Sequence, residues 1–266
     1  MRYALSRAGA ERVSKWARGR TLFAFDIDGT LAPIAERPWD ARVPEEVQQG
    51  LGTLASRAAV AIVTGRSVAD ARPMLGFTPR YLIGNHGAEG VPGFESAAAS
   101  FVRICHGWLE ALSLANEPWR AITGVALEDK SCSLAFHFRH AADRGNVHRL
   151  LENRARKLDP VPSLLDGKYV LNLVPPGAPD KGDALGALLT RSRCERALYV
   201  GDDVSDEAVF RLRSPRVLGV RVERSAASAA ELYLRDQREI PRLLARLIEA
   251  TSGRGAGGAQ LRGLAA

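Results

Sequence analysis

The apolar residues of this chain fall into short unbroken runs: TLFAF at Thr21–Phe25, AAVAIV at 58–63, RYLI at 80–83, ALYV at 197–200 and VLGVRV at Val217–Val222. Runs of this length, closed by turn residues, predict strands covered on both faces, the pattern of a buried parallel sheet. Between them the period lengthens to that of helices. One helix is expected from Pro44-Glu45-Glu46, where a proline and two acids suit a first turn. Others are expected after Thr64-Gly65-Arg66-Ser67, over about 181–190, from about Ser205, and near 238–250. Strand–helix alternation at this spacing predicts a doubly wound, Rossmann-like α/β parallel-sheet core.

The middle of the chain breaks the alternation. A helix is expected over about 94–115, strand-like segments at 121–127 and 132–139, a helix over about 143–158 and another strand at 168–174. Short turns join several of these, which predicts a small α+β domain inserted into the larger one. Within 132–139, Cys132, Leu134, Phe136 and Phe138 share one face, and Ser133, Ala135, His137 and Arg139 share the other. The first face suits packing on helices and the second suits water or a ligand. The expected organisation is a basic lead-in helix over 1–20, a core over 21–96 and 180–250, and an inserted domain over 97–179. The Gly/Ala-rich, aperiodic 251–266 is expected to be a disordered tail.

Composition narrows the classes. No apolar run reaches the ~18–20 residues that span a bilayer, and the basic start lacks the apolar stretch of a secretory signal, so no membrane partner is expected. Cys105, Cys132 and Cys194 show no metal-site or disulfide spacing, which fits a reducing cytoplasm. The net charge of +7 is spread along the chain, without a basic block or interleaved aromatics. Nucleic acid is therefore not expected, and the charge suits a phosphorylated small molecule. Of 37 basic residues only five are lysines: Lys15, Lys130, Lys157, Lys168 and Lys181. Lysine is not interchangeable with arginine, and the last-named opens a helix, a poor place for a cation against the helix dipole. Such a local conflict points to function.

The chemistry-bearing motifs sit at strand ends, where ligands bind in open α/β sheets. Asp26-Ile27-Asp28-Gly29-Thr30 follows the first strand. Its two carboxylates can converge, one as nucleophile and one handling a proton, with a cation to offset their repulsion. A calcium loop of the EF-hand type is excluded, because position six is Leu31 and position twelve is Arg37. Gly201-Asp202-Asp203-Val204-Ser205-Asp206-Glu207 follows a later strand. That acidic cluster suits a hard, oxygen-ligated ion such as Mg²⁺, with Asp202 the better ligand and Ser205 a candidate helix cap. Thr64-Gly65-Arg66 places a hydroxyl and backbone N–H groups where a helix begins, a cradle for phosphate.

These four elements, in this order, resemble the motifs of the haloacid dehalogenase superfamily. More narrowly, 25–33 (FDIDGTLAP), 62–67 (IVTGRS), 84–89 (GNHGAE), 127–139 (LEDKSCSLAFHFR), 167–185 (GKYVLNLVPPGAPDKGDAL) and 199–207 (YVGDDVSDE) are similar to the trehalose-phosphatase family. The resemblance implies hydrolysis of trehalose 6-phosphate through an aspartyl-phosphate. It implies Asp26 as nucleophile, Asp28 as general acid and base, and Thr64 and Lys181 as phosphate holders. Mg²⁺ is then held by Asp26, the Asp28 carbonyl and Asp202, while Asp203 and Asp206 bind it through water or orient Lys181. The inserted domain becomes a cap, with Glu128, Lys130, His137 and Arg139 near the sugar and Arg66, Asn85, His86 and Asn172 completing the substrate site. In one respect the chain departs from the family. Asn172 and Val174 stand where a Glu and a base are usual, so the identity of the sugar stays open. Another phosphorylated glycoside (glucosylglycerol phosphate or mannosyl-3-phosphoglycerate), a non-catalytic sugar-phosphate sensor and a phosphomutase are the alternatives. A monomer is expected.

Overall fold

The computed structural model describes residues 1–252 except 115 and 213. In chain order the elements are β1 (Arg2–Tyr3), α1 (Arg7–Ala17), β2 (Thr21–Phe25), α2 (Glu45–Ala55), β3 (Ala59–Val63), α3 (Val68–Ala71), β4 (Tyr81–Ile83), α4 (Glu95–Leu112), β5 (Ala126–Asp129) and β6 (Leu134–His137). There follow α5 (Arg144–Ala155), β7 (Ser163–Gly167), β8 (Val170–Val174), α6 (Lys181–Arg191), β9 (Arg196–Gly201), α7 (Glu207–Phe210), β10 (Val217–Val222), β11 (Leu232–Leu234) and α8 (Ile240–Thr251).

Among the described residues, seven strands form one sheet in the order β1-β11-β10-β9-β2-β3-β4. Every pairing in it is parallel. Side chains of β2 alternate between two apolar layers. Phe23 and Phe25 pack with Leu51 of α2 and Leu244 of α8. Leu22 and Ala24 pack with Leu185 and Leu188 of α6 and Phe210 of α7. Coverage on both faces explains why the strands read as unbroken apolar runs and confirms the doubly wound core. From β2 the chain steps to β3 and β4 on one side; it resumes at β9 on the other. The direction of winding reverses between β2 and β9, and a crevice opens at their carboxyl ends.

The edge of this sheet holds elements that periodicity did not mark. The lead-in helix is present as α1. Before it, Arg2 and Tyr3 pair with Leu232 and Tyr233 of β11. Trp16 of α1 donates its indole N–H to the Ala197 carbonyl at 2.9 Å. The lead-in is thus part of the packed core.

The inserted segment forms a four-stranded antiparallel sheet, β5-β6-β8-β7. Leu134 and Phe136 of β6 pack with Trp108 of α4 and Leu151 of α5, as the alternation predicts, whereas Cys132 joins a separate small cluster with Phe101. The first strand is displaced. Pro118–Ala121 is a 3₁₀ turn, Gly124 adopts φ 85°, and the strand begins only at Ala126. The expected 168–174 strand is the second arm of a hairpin. Lys168 and Tyr169 are its two-residue turn, with Tyr169 at φ 65°, and β7 is its first arm. Of the expected tail, Thr251 is buried and closes α8; the remainder beyond Ser252 lies outside the described residues. No helix among the described residues is long and apolar enough to cross a membrane.

Candidate active site

Adjacent strands carry the acids to one point. Phe25 at the end of β2 is in register with Val200 of β9, and the Asp26 amide donates to the Val200 carbonyl at 2.9 Å. Asp26 and Asp202 therefore leave neighbouring strands side by side. One carboxylate oxygen from each of Asp26, Asp202 and Asp206 lies within 4.8 Å of the others. The approach depends on Gly29, which sits at φ 80°. A β-carbon there would collide with the Asp202 carboxylate.

Asp206 is saturated. Its Oδ1 accepts from Lys181 Nζ at 2.8 Å and from the Tyr199 hydroxyl at 2.6 Å. Its Oδ2 accepts from the amides of Asp202 and Asp203, each at 2.9 Å. Asp206 is thus a positioning residue that folds the 201–206 turn and fixes Lys181. The cap of this turn is Asp203, whose side chain accepts from the Asp206 amide, and not Ser205.

Lys181 Nζ lies 3.0 Å from Asp26 Oδ2. Its place at the start of α6, unfavourable for the dipole, is offset by the Asp180–Asp183 capping box. Burial works against its charge, but Asp206 and Asp26 overcome that and hold the ammonium above the usual lysine range. Burial also pushes the Asp26 carboxyl well up, opposed by Lys181 and reinforced by Asp206, Asp202 and Asp28. Burial and then Asp206 push Asp202 up to about 7, against the Thr30 hydroxyl that donates to it at 2.9 Å. Such crowding of buried carboxylates is what a hard divalent cation relieves. The donor set fits a metal ion, with Asp26 and Asp202 the members whose oxygens are not all taken.

Asp28 faces the same cleft. Both its oxygens accept from Arg66, from Nε at 2.7 Å and Nη2 at 2.6 Å. Thr64 is buried at the end of β3, and its hydroxyl accepts from the Arg66 amide at 3.2 Å. Gly65 leaves room for the His86 ring, which a β-carbon would strike. His86 sits at φ 59°, and neither ring nitrogen has a hydrogen-bond partner among the described residues. Burial, then Lys181 and Lys130, lower its pKa, which favours the neutral ring.

The inserted sheet roofs the cleft. Register places Glu128, Ala135 and Asn172 in one row across β5, β6 and β8. Lys130 Nζ donates to the Gly65 carbonyl at 3.2 Å and to Asn172 Oδ1 at 3.3 Å. His137 Nε2 meets Glu128 at 2.6 Å. Arg139 donates to the Ala35 carbonyl at 3.4 Å. Val174 is buried. Asn85 does not line the cavity. Its amide donates to Glu89 and to the Lys130 carbonyl, and its Oδ1 accepts from Ser133, so it joins the insert to the core.

Core and insert together enclose a cavity of about 770 Å³ lined by Asp26, Asp28, Lys181, Asp202, Arg66 and His86, and by Glu128, Lys130, His137, Arg139 and Asn172. Its wall also includes Trp39, Lys168 and Tyr169, which sequence reasoning did not place in the site. Thr30, inside the first motif, and Tyr199, the polar-tipped aromatic of β9, were legible there; Trp39 carries no motif.

Residues 24–237 match the trehalose-phosphatase family model. The chain belongs to the trehalose-phosphatase family. A probable trehalose-phosphate phosphatase of Sinorhizobium fredii is 35% identical over 197 residues, 70% of this chain and 71% of that protein. An uncharacterized glycosyl hydrolase of Mycobacterium tuberculosis is 33% identical over 197 residues, and there the match spans 70% of this chain but only 15% of the longer protein. The C-terminal domain of the C. albicans trehalose-6-phosphate phosphatase superposes with a TM-score of 0.73 at 22% identity, covering 94% of this chain and 98% of that one. That likeness shows the fold: a parallel-sheet core with an inserted antiparallel domain, as the sequence of this trehalose-phosphatase family member predicts.

Proposed function

We propose that this protein hydrolyses trehalose 6-phosphate to trehalose and phosphate with Mg²⁺, through an aspartyl-phosphate. The observation that carries the reading is the convergence of Asp26, Lys181 and Asp202 at the β2–β9 crevice, under a polar-faced insert.

In the first step an oxygen of Asp26 attacks phosphorus, and the bond from phosphorus to the sugar oxygen breaks. Asp28 gives that oxygen a proton, so the sugar leaves as an alcohol. In the second step Asp28 takes a proton from water, which attacks phosphorus and frees Asp26. Lys181, the Thr64 hydroxyl and backbone N–H groups of the following turn hold the phosphoryl oxygens. Arg66 fixes the direction of the Asp28 carboxylate until the incoming phosphate offers the guanidinium a second anion. Asp26, Asp202 and the Asp28 backbone carbonyl would hold Mg²⁺, which when bound offsets charge on the phosphoryl oxygens.

The insert, 97–179, serves as the cap. Glu128, Lys130, His137, Arg139 and Asn172 meet the sugar, and His86 supplies a neutral imidazole beneath it. Burial pushes the Cys105 thiol up to about 12 and the Cys132 thiol up to about 11, so both stay as inert thiols suited to a reducing cytoplasm.

Steady-state phosphate release from a panel of sugar phosphates tests the reading. Preference for trehalose 6-phosphate is expected. Preference for glucosylglycerol phosphate or mannosyl-3-phosphoglycerate would reassign the substrate, and tight binding without turnover would make the protein a sensor.

A further inference from the structure

The cavity changes chemistry along its depth. Its inner end is charged and closed to solvent, with Asp26 5% and Lys181 1% exposed. Its outer end is open and mixed, with apolar side chains beside Glu36 and Arg37. Ile34 is 47% and Trp39 66% exposed, both on the loop that follows the 26–30 motif and both lining the cavity. From the cap side Arg139 reaches this loop through the Ala35 carbonyl. Tyr169 completes the rim, with the Arg144 guanidinium 4.5 Å from its ring centroid.

Trp39 differs from the other three tryptophans. Trp16, Trp108 and Trp119 are buried in apolar clusters. Single exposed apolar residues are ordinary. A large indole uncovered in the wall of the same cavity as the nucleophile, beside an uncovered isoleucine, is a recognition surface. An exposed aromatic face suits the C–H face of a sugar ring, whereas the inner end suits phosphate. The volume, about 770 Å³, is in the upper part of the ~300–1,000 Å³ range of ligand pockets.

We infer that Trp39, flanked by Ile34, is a stacking platform for the sugar ring farthest from the phosphate, and that it selects phosphorylated disaccharides over phosphate esters of small alcohols. The inference rests on the proposed reading of Asp26 as the nucleophile toward a sugar phosphate.

Two measurements test it. In the first, kcat/KM for trehalose 6-phosphate is divided by kcat/KM for p-nitrophenyl phosphate. Trp39→Ala lowers this ratio about tenfold, the scale of one lost aromatic contact, and Trp39→Phe restores most of it. In the second, trehalose shifts the fluorescence of Trp39 to the blue, and the shift is absent from Trp39→Phe. An unmoved ratio in Trp39→Ala overturns the platform, as does an equal shift produced by inorganic phosphate alone. A protein that turns over neither ester yet shows the trehalose-dependent shift keeps the platform and loses the phosphatase reading.

Discussion

Lys181 and Asp206 form an ion pair of 2.8 Å in which neither side chain is more than 1% exposed. Asp206 makes no use of its charge except to hold Lys181, Tyr199 and two backbone amides. Removing Asp206 leaves Lys181 with Asp26 as its one remaining carboxylate partner among those described and strands the buried Tyr199 hydroxyl and two amides, a loss on the scale of about 3–5 kcal/mol for a broken buried pair. Asp206→Ala should therefore lower Tm by roughly 6–20 °C and lower kcat more than it changes KM, because Lys181 loses its support. Calorimetry with steady-state kinetics checks this. An unchanged Tm would mean the pair contributes nothing to the fold.

Asp26→Asn should abolish phosphate release while the fold survives. The amide has the same shape and removes a charge that burial and three neighbouring carboxylates already oppose. Circular dichroism and a phosphate assay decide the point. Activity retained above about a few per cent of wild type removes Asp26 as the nucleophile.

EDTA should silence the enzyme and Mg²⁺ restore it. A readout independent of turnover is available, since a cation that binds the folded state raises Tm. The rise should vanish in Asp202→Asn, which withdraws a charged ligand while keeping the Thr30 contact side. A Mg²⁺-dependent rise that persists in that variant would place the ion elsewhere.

How much of this was legible in the sequence follows from what each residue's signal depends on. Asp26 and Asp202 were readable because both faces of the sheet are covered, so their strands are unbroken apolar runs that stop at the acids. The β7–β8 hairpin was read as one strand because Ser163–Gly167 is half exposed and mixed in character, and its turn uses Tyr169 at positive φ where a glycine would have signalled it. Arg2 and Tyr3 gave no signal, because a two-residue edge strand has no period. The contact of Arg66 with Asp28 joins residues 38 apart, and no local pattern records such a pair.

Glu128 sets a pH dependence. Burial alone would raise its carboxyl, but the His137 hydrogen bond and the Lys130 charge overcome it and hold the group below the usual range. The unfolded chain then binds the proton more readily than the folded one. The stabilisation is complete above the ordinary glutamate value, about 4.3, and is lost as pH falls through the lower folded value. Glu128→Gln should flatten the loss of stability below about pH 5, read as urea midpoints from pH 3 to 6. A parallel curve for variant and wild type would remove Glu128 from the acid response.

Asn172→Glu tests the departure from the family. A carboxylate there gains Lys130 as a charged partner, now 3.3 Å from the amide oxygen, and gives up the donation to the Leu165 carbonyl. An increase in kcat/KM for trehalose 6-phosphate is expected. An unchanged value would show that Lys130 and Glu128 read the sugar without it.

Asn85 fastens the β5–β6 turn to the core at a point beside the phosphate turn, through Lys130 and Ser133 on one side and Glu89 on the other. Elsewhere along the cavity, Arg139 of the insert donates to the Ala35 carbonyl of the core at 3.4 Å, and Gly167 of β7 lies against Asp203. The position of the roof over the acids is therefore set by side-chain bonds at both ends of the cavity as well as by the two places where the chain crosses between core and insert.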